Sequence, residues 1–296
     1  VLLGALQAIL EPGDEVLLPA PCWLSYPEMV RMAGGVPVIV HTDMAQGYLP
    51  TPAQLAQAVT ARTRAIILNT PNNPTGVVSG EQALRAVADL AQAHDFYIIS
   101  DEIYESLVYA GERHIPIAGL NEDAYSRTIT VSGFSKAYAM TGWRLGYAAG
   151  PKAVIQAMDA YQSHATGNPN SIGQYAAVAA MTGDQSCVEE MRQAFERRCA
   201  LMLSLLDEIP GVRYAKPHGA FYVLADISRL LGKRYRGEVI DSDGRFAELL
   251  LEHALVSAVP GEPFIAPGCL RFSYAINEER LAEAVRRIKT FVEELI

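Results

Sequence analysis

Through its first two-thirds the chain alternates short apolar runs with amphipathic stretches, and this alternation restricts the available folds more than any other feature. Runs rich in Val, Ile and Leu occur at residues 15–18, 36–40, 64–68, 96–100, 128–131 and 145–149. Helical patterns occupy residues 1–11, 26–33, 51–61, 82–94, 151–163 and 171–181, with breakers such as Pro12-Gly13, Gly34-Gly35 and Gly150-Pro151 between segments. Thr51 stands where a helix cap belongs. Short continuous apolar strands separated by helices predict an α/β fold, with a mainly parallel mixed sheet covered by helices on both faces. After residue 185 the pattern changes. Ser186, with Glu189 three residues on, reads as a capping box opening a long helix that runs to about residue 209, where Pro210-Gly211 ends it. Strands at 221–225, 256–259 and 270–275, a helix at 243–253 and a C-terminal helix at 277–296 form a smaller α+β unit, with residues 230–243 as a polar loop. The expected division is a large domain over 1–185 and a small one over 186–296.

In a parallel sheet, ligands sit beyond the carboxyl ends of the strands. Trp23, Asn73, Asp101, Tyr104 and Lys136 all follow expected strand ends. Trp23 closes a Pro-Ala-Pro-Cys loop and is either core packing or a flat face for a ring to stack on. Asn73 lies between a buried strand and Pro74, which biases its backbone towards extended and leaves its amide free to point at a ligand. Asn72 reads as a plain turn residue. A carboxylate at the end of a buried strand, as at Asp101, needs a cation, a cap or an ion pair; a protonated pyridine nitrogen is one such cation. The hydroxyl of Tyr104, three residues on, could donate to a phenolate oxygen of the same ring.

The stretch S-G-F-S-K-A-Y-A-M-T-G-W-R-L-G, residues 132–146, places Lys136 among small and hydroxylic residues with Arg144 eight positions on. A lysine amine condenses with an aldehyde to a Schiff base, and an arginine fork suits phosphate. An aldehyde that also carries a phosphate is pyridoxal phosphate. Taken alone, Lys136 reads as a solvated surface lysine and Arg144 as a structural ion-pair partner, and it is the other pieces of the chain that reverse that reading. Arg271, inside the strand pattern L-R-F-S-Y, wants a carboxylate, either from the protein or from an amino acid.

Half of the 296 residues are hydrophobic and 19% are charged, enough for a large core. A formal net charge of −9 argues against nucleic acid as a partner. No run of eighteen apolar residues predicts a membrane span. Cys22, Cys187, Cys199 and Cys269 form no C-x-x-C pair, so neither a zinc site nor a disulfide framework is expected, and reduced thiols in a cytoplasm are the simplest reading. The six histidines show no ligand spacing, and no metal is expected. Val1 opens what reads as the middle of an apolar helix with no basic region before it, so the chain is expected to be a piece of a larger protein.

In this order, N-x-x-N-P-T-G, D-E-I-Y, S-K-x-x-x-x-T-G-x-R-x-G and R-F-S-Y, with P-G-D-E-V, G-A-F-Y and P-G-E-P-F, resemble the fold type I pyridoxal-phosphate-dependent aminotransferases of class I/II over essentially the whole chain. Within that class the chain is most similar to the aspartate/aromatic subgroup, N-terminally truncated. The resemblance implies that Lys136 binds the cofactor aldehyde and moves the substrate proton. It makes Asp101 the partner of the ring nitrogen, and Tyr104 and Asn73 the partners of the ring oxygen. Trp23 stacks on the ring, Arg144 binds the phosphate with Ser135 beside it, and Arg271 clamps the substrate α-carboxylate. It further implies amino-acid and 2-oxo-acid substrates, a homodimer, and a phosphate loop and gating arm upstream of Val1. Two positions depart from the pattern. Gly133 stands where many relatives carry a hydroxyl three before the lysine, with Ser132 adjacent, and Ile265 stands where glycine is frequent. The same motifs serve lyases and cyclases, such as C–S lyases and ACC-synthase-like enzymes, and aminotransferase-like sensor domains of transcription regulators, which leaves those readings open.

Overall fold

The computed structural model describes residues 1–109 and 111–296. The first part runs α1 (Leu2–Ile9), β1 (Glu15–Ala20), α2 (Ser25–Met32), β2 (Val36–His41), α3 (Pro52–Ala58), β3 (Thr63–Asn69), α4 (Glu81–His94), β4 (Tyr97–Asp101), α5 (Glu122–Arg127), β5 (Thr128–Gly133), β6 (Gly146–Ala149), α6 (Lys152–Ala165) and α7 (Ser171–Thr182). Then follow α8 (Ser186–Leu206), β7 (Arg213–Tyr214), β8 (Tyr222–Asp226), β9 (Arg234–Tyr235), β10 (Glu238–Val239), α9 (Asp243–Ala254), β11 (Val259–Pro260), β12 (Cys269–Ser273) and α10 (Glu278–Glu293).

Six strands pair in the order β2-β1-β3-β4-β5-β6, all parallel except β6, which runs antiparallel to β5. Alternate residues of each inner strand enter opposite cores because successive side chains point to opposite faces. Val16, Leu18, Ile67 and Ile99 pack with Leu6, Tyr26, Val30 and Val154 from α1, α2 and α6. Leu17, Ile66, Leu68 and Ile98 pack with Leu55, Leu84, Val87 and Ala124 from α3, α4 and α5. Burial on both faces is why these strands read as unbroken apolar runs.

The C-terminal part is a four-stranded sheet, β11-β12-β8-β7, whose neighbouring strands pair antiparallel, with α8, α9 and α10 packed on it. Its start docks on the Asn69–Gly76 loop. The His218 and Gly219 N–H groups both donate to Gly76 O, at 2.8 and 2.9 Å. Gly76 has φ +71°, and a Cβ there would lie 2.4 Å from Pro217 Cβ and 2.8 Å from Tyr222 O. Only glycine permits both that conformation and that approach.

Several expectations need correction. Ser186 is the first helical residue of α8 rather than its cap. Its N–H and hydroxyl both turn to the Asp184 carboxylate, while Glu189 is taken by Arg192 and Gln193. The strand expected at 256–259 shrinks to β11, because α9 ends in a left-handed residue at Leu255 and the chain is still turning. Residues 230–243 hold the short hairpin β9–β10. The capping box at Thr51 forms as expected, with Gln54 as its partner.

Candidate active site

Beyond the carboxyl ends of β1, β3, β4 and β5 lies a cavity of about 630 Å³. Trp23, Asn73, Asp101, Tyr104, Ser135, Lys136, Arg144 and Arg271 all line it, so the structure brings together the residues expected to meet cofactor or substrate. Arg271 comes from β12 and Tyr222 from β8, so both parts of the chain supply walls.

Asp101 ends β4 on the cavity floor and is 5% exposed. The Tyr26 hydroxyl donates to Oδ2 at 2.6 Å and the Ile103 N–H to Oδ1 at 3.3 Å. No Lys, Arg or His among the described residues forms an ion pair with it, so the protein-internal ion pair foreseen as one alternative is not formed. Burial, the largest influence, pushes its carboxyl up to about 6; the Tyr26 and Ile103 hydrogen bonds and Lys136 pull the other way. A buried acid with neutral partners is suited to meet a cationic ligand atom.

Lys136 sits in the turn after β5. Its Nζ is 5.7 Å from the centre of the Tyr104 ring and 5.4 Å from that of Phe221. Burial first, then the positive charges of Arg271 and Arg144, hold its pKa below that of an ordinary lysine, with Asp101 opposing. A lysine so placed has more of the neutral amine that serves as nucleophile or base.

Arg271 is half-buried, and its guanidinium lies 4.5 Å from the centre of the Tyr222 ring and 4.7 Å from that of Phe264. Its Nη1 donates to Asn73 Oδ1 at 2.8 Å, and its buried Nε has no hydrogen-bond partner among the described residues. The Asn73 N–H in turn donates to Asn69 Oδ1, which fixes the loop on β3. Desolvation lowers the Arg271 pKa, opposed only by Tyr222 and Tyr104, and no carboxylate among the described residues pairs with it. The arrangement is a rigid fork with a donor to spare, suited to a carboxylate from outside. Arg144 is exposed and left-handed at φ +56°, and among its described hydrogen bonds only the one to Thr141 O, at 3.0 Å, occupies it. Its remaining donors are suited to an anion.

Ser132 lines the cavity, but its hydroxyl donates to Glu105 Oε1 at 2.9 Å. A Cβ on Gly133 would lie 2.9 Å from Leu145 O, so β6 packs too close for the hydroxyl residue that many relatives of the pattern carry there. Asn72 holds the turn, accepting from the N–H and hydroxyl of Thr75. Trp23 meets Tyr26 edge to face at 5.4 Å. Ile265 is left-handed at φ +60°, a conformation that favours the glycine frequent in similar sequences.

Sequence reasoning missed Tyr26 and Tyr222. Tyr26 read as one more residue of an amphipathic helix, and its bond to Asp101 spans 75 positions. Tyr222 lay in the G-A-F-Y motif, whose aromatic character was visible, but nothing local pointed it at Tyr104.

A family model described as aminotransferase class I and II matches residues 1–288. The aspartate aminotransferase of Geobacillus stearothermophilus is 47% identical over 287 residues, 97% of this chain and 72% of that protein. The aspartate/prephenate aminotransferase of Thermus thermophilus is 47% identical over 289 residues, 97% of this chain and 71% of the relative. Among solved structures, the aspartate aminotransferase from Rhizobium meliloti superposes with a TM-score of 0.96 at 40% identity, covering 100% of this chain and 74% of that one. The aromatic aminotransferase from Pyrococcus horikoshii gives 0.92 at 40% identity, covering 99% and 76%. Matches of this length and identity carry fold and family together, and the chain belongs to the class I and II aminotransferases.

Proposed function

We propose that the cavity binds pyridoxal 5′-phosphate and that the chain moves an amino group between an L-amino acid, aspartate or aromatic, and a 2-oxo acid by a ping-pong route. Pyridoxal phosphate supplies an aldehyde that takes up the amino group and a ring that spreads the charge left when the Cα proton departs. The chain's own residues fit it. Asp101, buried with no ion-pair partner among the described residues and steadied by Tyr26, would hold the protonated ring nitrogen. Arg144 and Ser135 take the phosphate, and Trp23 offers its face to the ring. The Tyr104 hydroxyl would donate a hydrogen bond to the ring oxygen. Arg271 grips the α-carboxylate while Asn73 holds the guanidinium square. Fixing the substrate at that end orients the Cα–H bond towards Lys136, an effect worth several kcal/mol. Lys136 Nζ would be the base that takes up the Cα proton and hands it back.

The observation that carries this reading is the buried Asp101 carboxyl, without an ion-pair partner among the described residues, on the floor of the cavity that Lys136 also lines. The test is a panel of aspartate, tyrosine and phenylalanine as donors with 2-oxoglutarate as acceptor. Transfer is expected with the acceptor and is lost, by at least about a thousandfold, in Lys136→Ala. Turnover retained in that variant would remove Lys136 from its role, and oxo-acid release without any acceptor would favour a lyase.

The proposal includes two domains, 1–185 and 186–296, supported by the separate sheets, and a homodimer. On α7, Ile172, Tyr175, Val178 and Met181 are 73, 81, 59 and 60% exposed. Apolar residues recurring at helical spacing on an exposed face fit a self-complementary contact with a second copy. A cytoplasmic location is consistent with four unpaired cysteines, three of them buried. No helix among the described residues is long and apolar enough to cross a membrane.

A further inference from the structure

Tyr104 and Tyr222 place their hydroxyl oxygens 3.2 Å apart, and both side chains are buried. Each hydroxyl owns one proton, so only one proton can lie on the line between them and the other must point elsewhere. Among the described residues neither hydroxyl has another hydrogen-bond partner. We propose that Tyr222 is a positioning residue for Tyr104: its hydroxyl donates to the Tyr104 oxygen and thereby turns the single Tyr104 proton into the cavity.

Two observations set this direction. The Arg271 guanidinium lies over the Tyr222 ring at 4.5 Å. A cation on the ring face draws electron density away from the phenol oxygen and makes its O–H the better donor. For Tyr104, burial first, then Tyr222 and the Asp101 carboxyl, make its proton harder to give up and its oxygen the better acceptor, with Arg271 opposing. The two rings meet edge to face at 5.9 Å, which fixes the pair mechanically as well. Tyr222 is itself placed by its strand. Its carbonyl approaches Gly76, and β8 pairs it with Ser273 of β12, two residues from Arg271. Arg271, Tyr222 and Tyr104 thus form one chain of contacts from the carboxylate fork to the hydroxyl that meets the ring oxygen.

The inference rests on the cofactor reading above, and its test separates the two. A charged ring oxygen holds a proton on the neighbouring lysine–cofactor link more weakly when a hydroxyl donates to it. Removing that donor lets the proton persist to higher pH. The measurement is a pH titration of the visible absorbance of the holoenzyme. Tyr104→Phe is expected to move the midpoint up by about one pH unit, and Tyr222→Phe by about half a unit. The double variant should move no further than Tyr104→Phe alone, because Tyr222 acts only through Tyr104. Tyr222→Phe keeps the ring beneath Arg271, so KM for the amino acid should stay within about twofold, whereas Tyr222→Leu should raise it about tenfold. A Tyr222→Phe midpoint equal to wild type, or shifts that add in the double variant, would overturn the inference alone, provided wild type shows a visible band that Lys136→Ala lacks. If wild type shows no such band, the cofactor reading falls and this inference falls with it.

Discussion

At the scale of single residues, the ligand-free site is costly, and the cost is readable in pH. The Asp101 carboxyl is pushed up to about 6 from an ordinary 3.8. Between those values the folded chain holds a proton that the unfolded chain has released. This group's contribution is therefore fully present below about pH 4 and is lost as pH rises through 6. The loss by neutral pH is of order 3 kcal/mol. Without cofactor, the urea midpoint should fall from pH 4.5 to 7, and Asp101→Asn should flatten that slope. Cofactor addition should flatten it too, by supplying the missing cation. A variant with an unchanged slope would show that other acids carry it. The lysine, the acid and both arginines were legible because each stands at a strand end or inside an apolar strand, where a charge is conspicuous. Tyr26 and Tyr222 were not, because an aromatic residue on a helix face or in a strand looks like core until its distant hydroxyl partner is known.

At the scale of elements, the strand–helix alternation was legible because both faces of the sheet are covered, which leaves continuous apolar runs. What failed were ends. Ser186 had the right spacing for a cap, but Asp184 offers its hydroxyl a charged acceptor that the helix N–H groups cannot match. The strand after α9 was overestimated, since apolar residues at Val256 and Ala258 say nothing of the left-handed turn at Leu255. The Asn69–Gly76 loop is the element on which the two halves of the site meet. Gly76→Ala would put a methyl within 2.4 Å of Pro217 Cβ and strain a φ of +71°. It is expected to cost about 2 kcal/mol or more in denaturant unfolding. It should also raise KM for the amino acid about tenfold or more by pulling Asn73 off Arg271. A variant of wild-type stability and KM would show that the docking there is loose.

For the whole molecule, composition and charge set the class of chain but left its surfaces unassigned. The amphipathic patterns located helices, yet α7 is apolar on a face that this chain itself does not cover. The proposed dimer places a second copy there. Light scattering should then give twice the 32.1 kDa of one chain. Ile172→Asp with Tyr175→Asp should reduce it to a single chain while far-UV circular dichroism is unchanged. A mass that does not change would move the interface elsewhere. The Arg271 guanidinium is gripped by Asn73 on one side and by two rings of the C-terminal part on the other. An anion seated on that fork is therefore riveted to both halves at once, and swinging one half outward would tear the bond to Asn73. The latch is thus already fastened in the empty chain, and a carboxylate taken up on the fork should stiffen a closure that is there before it arrives.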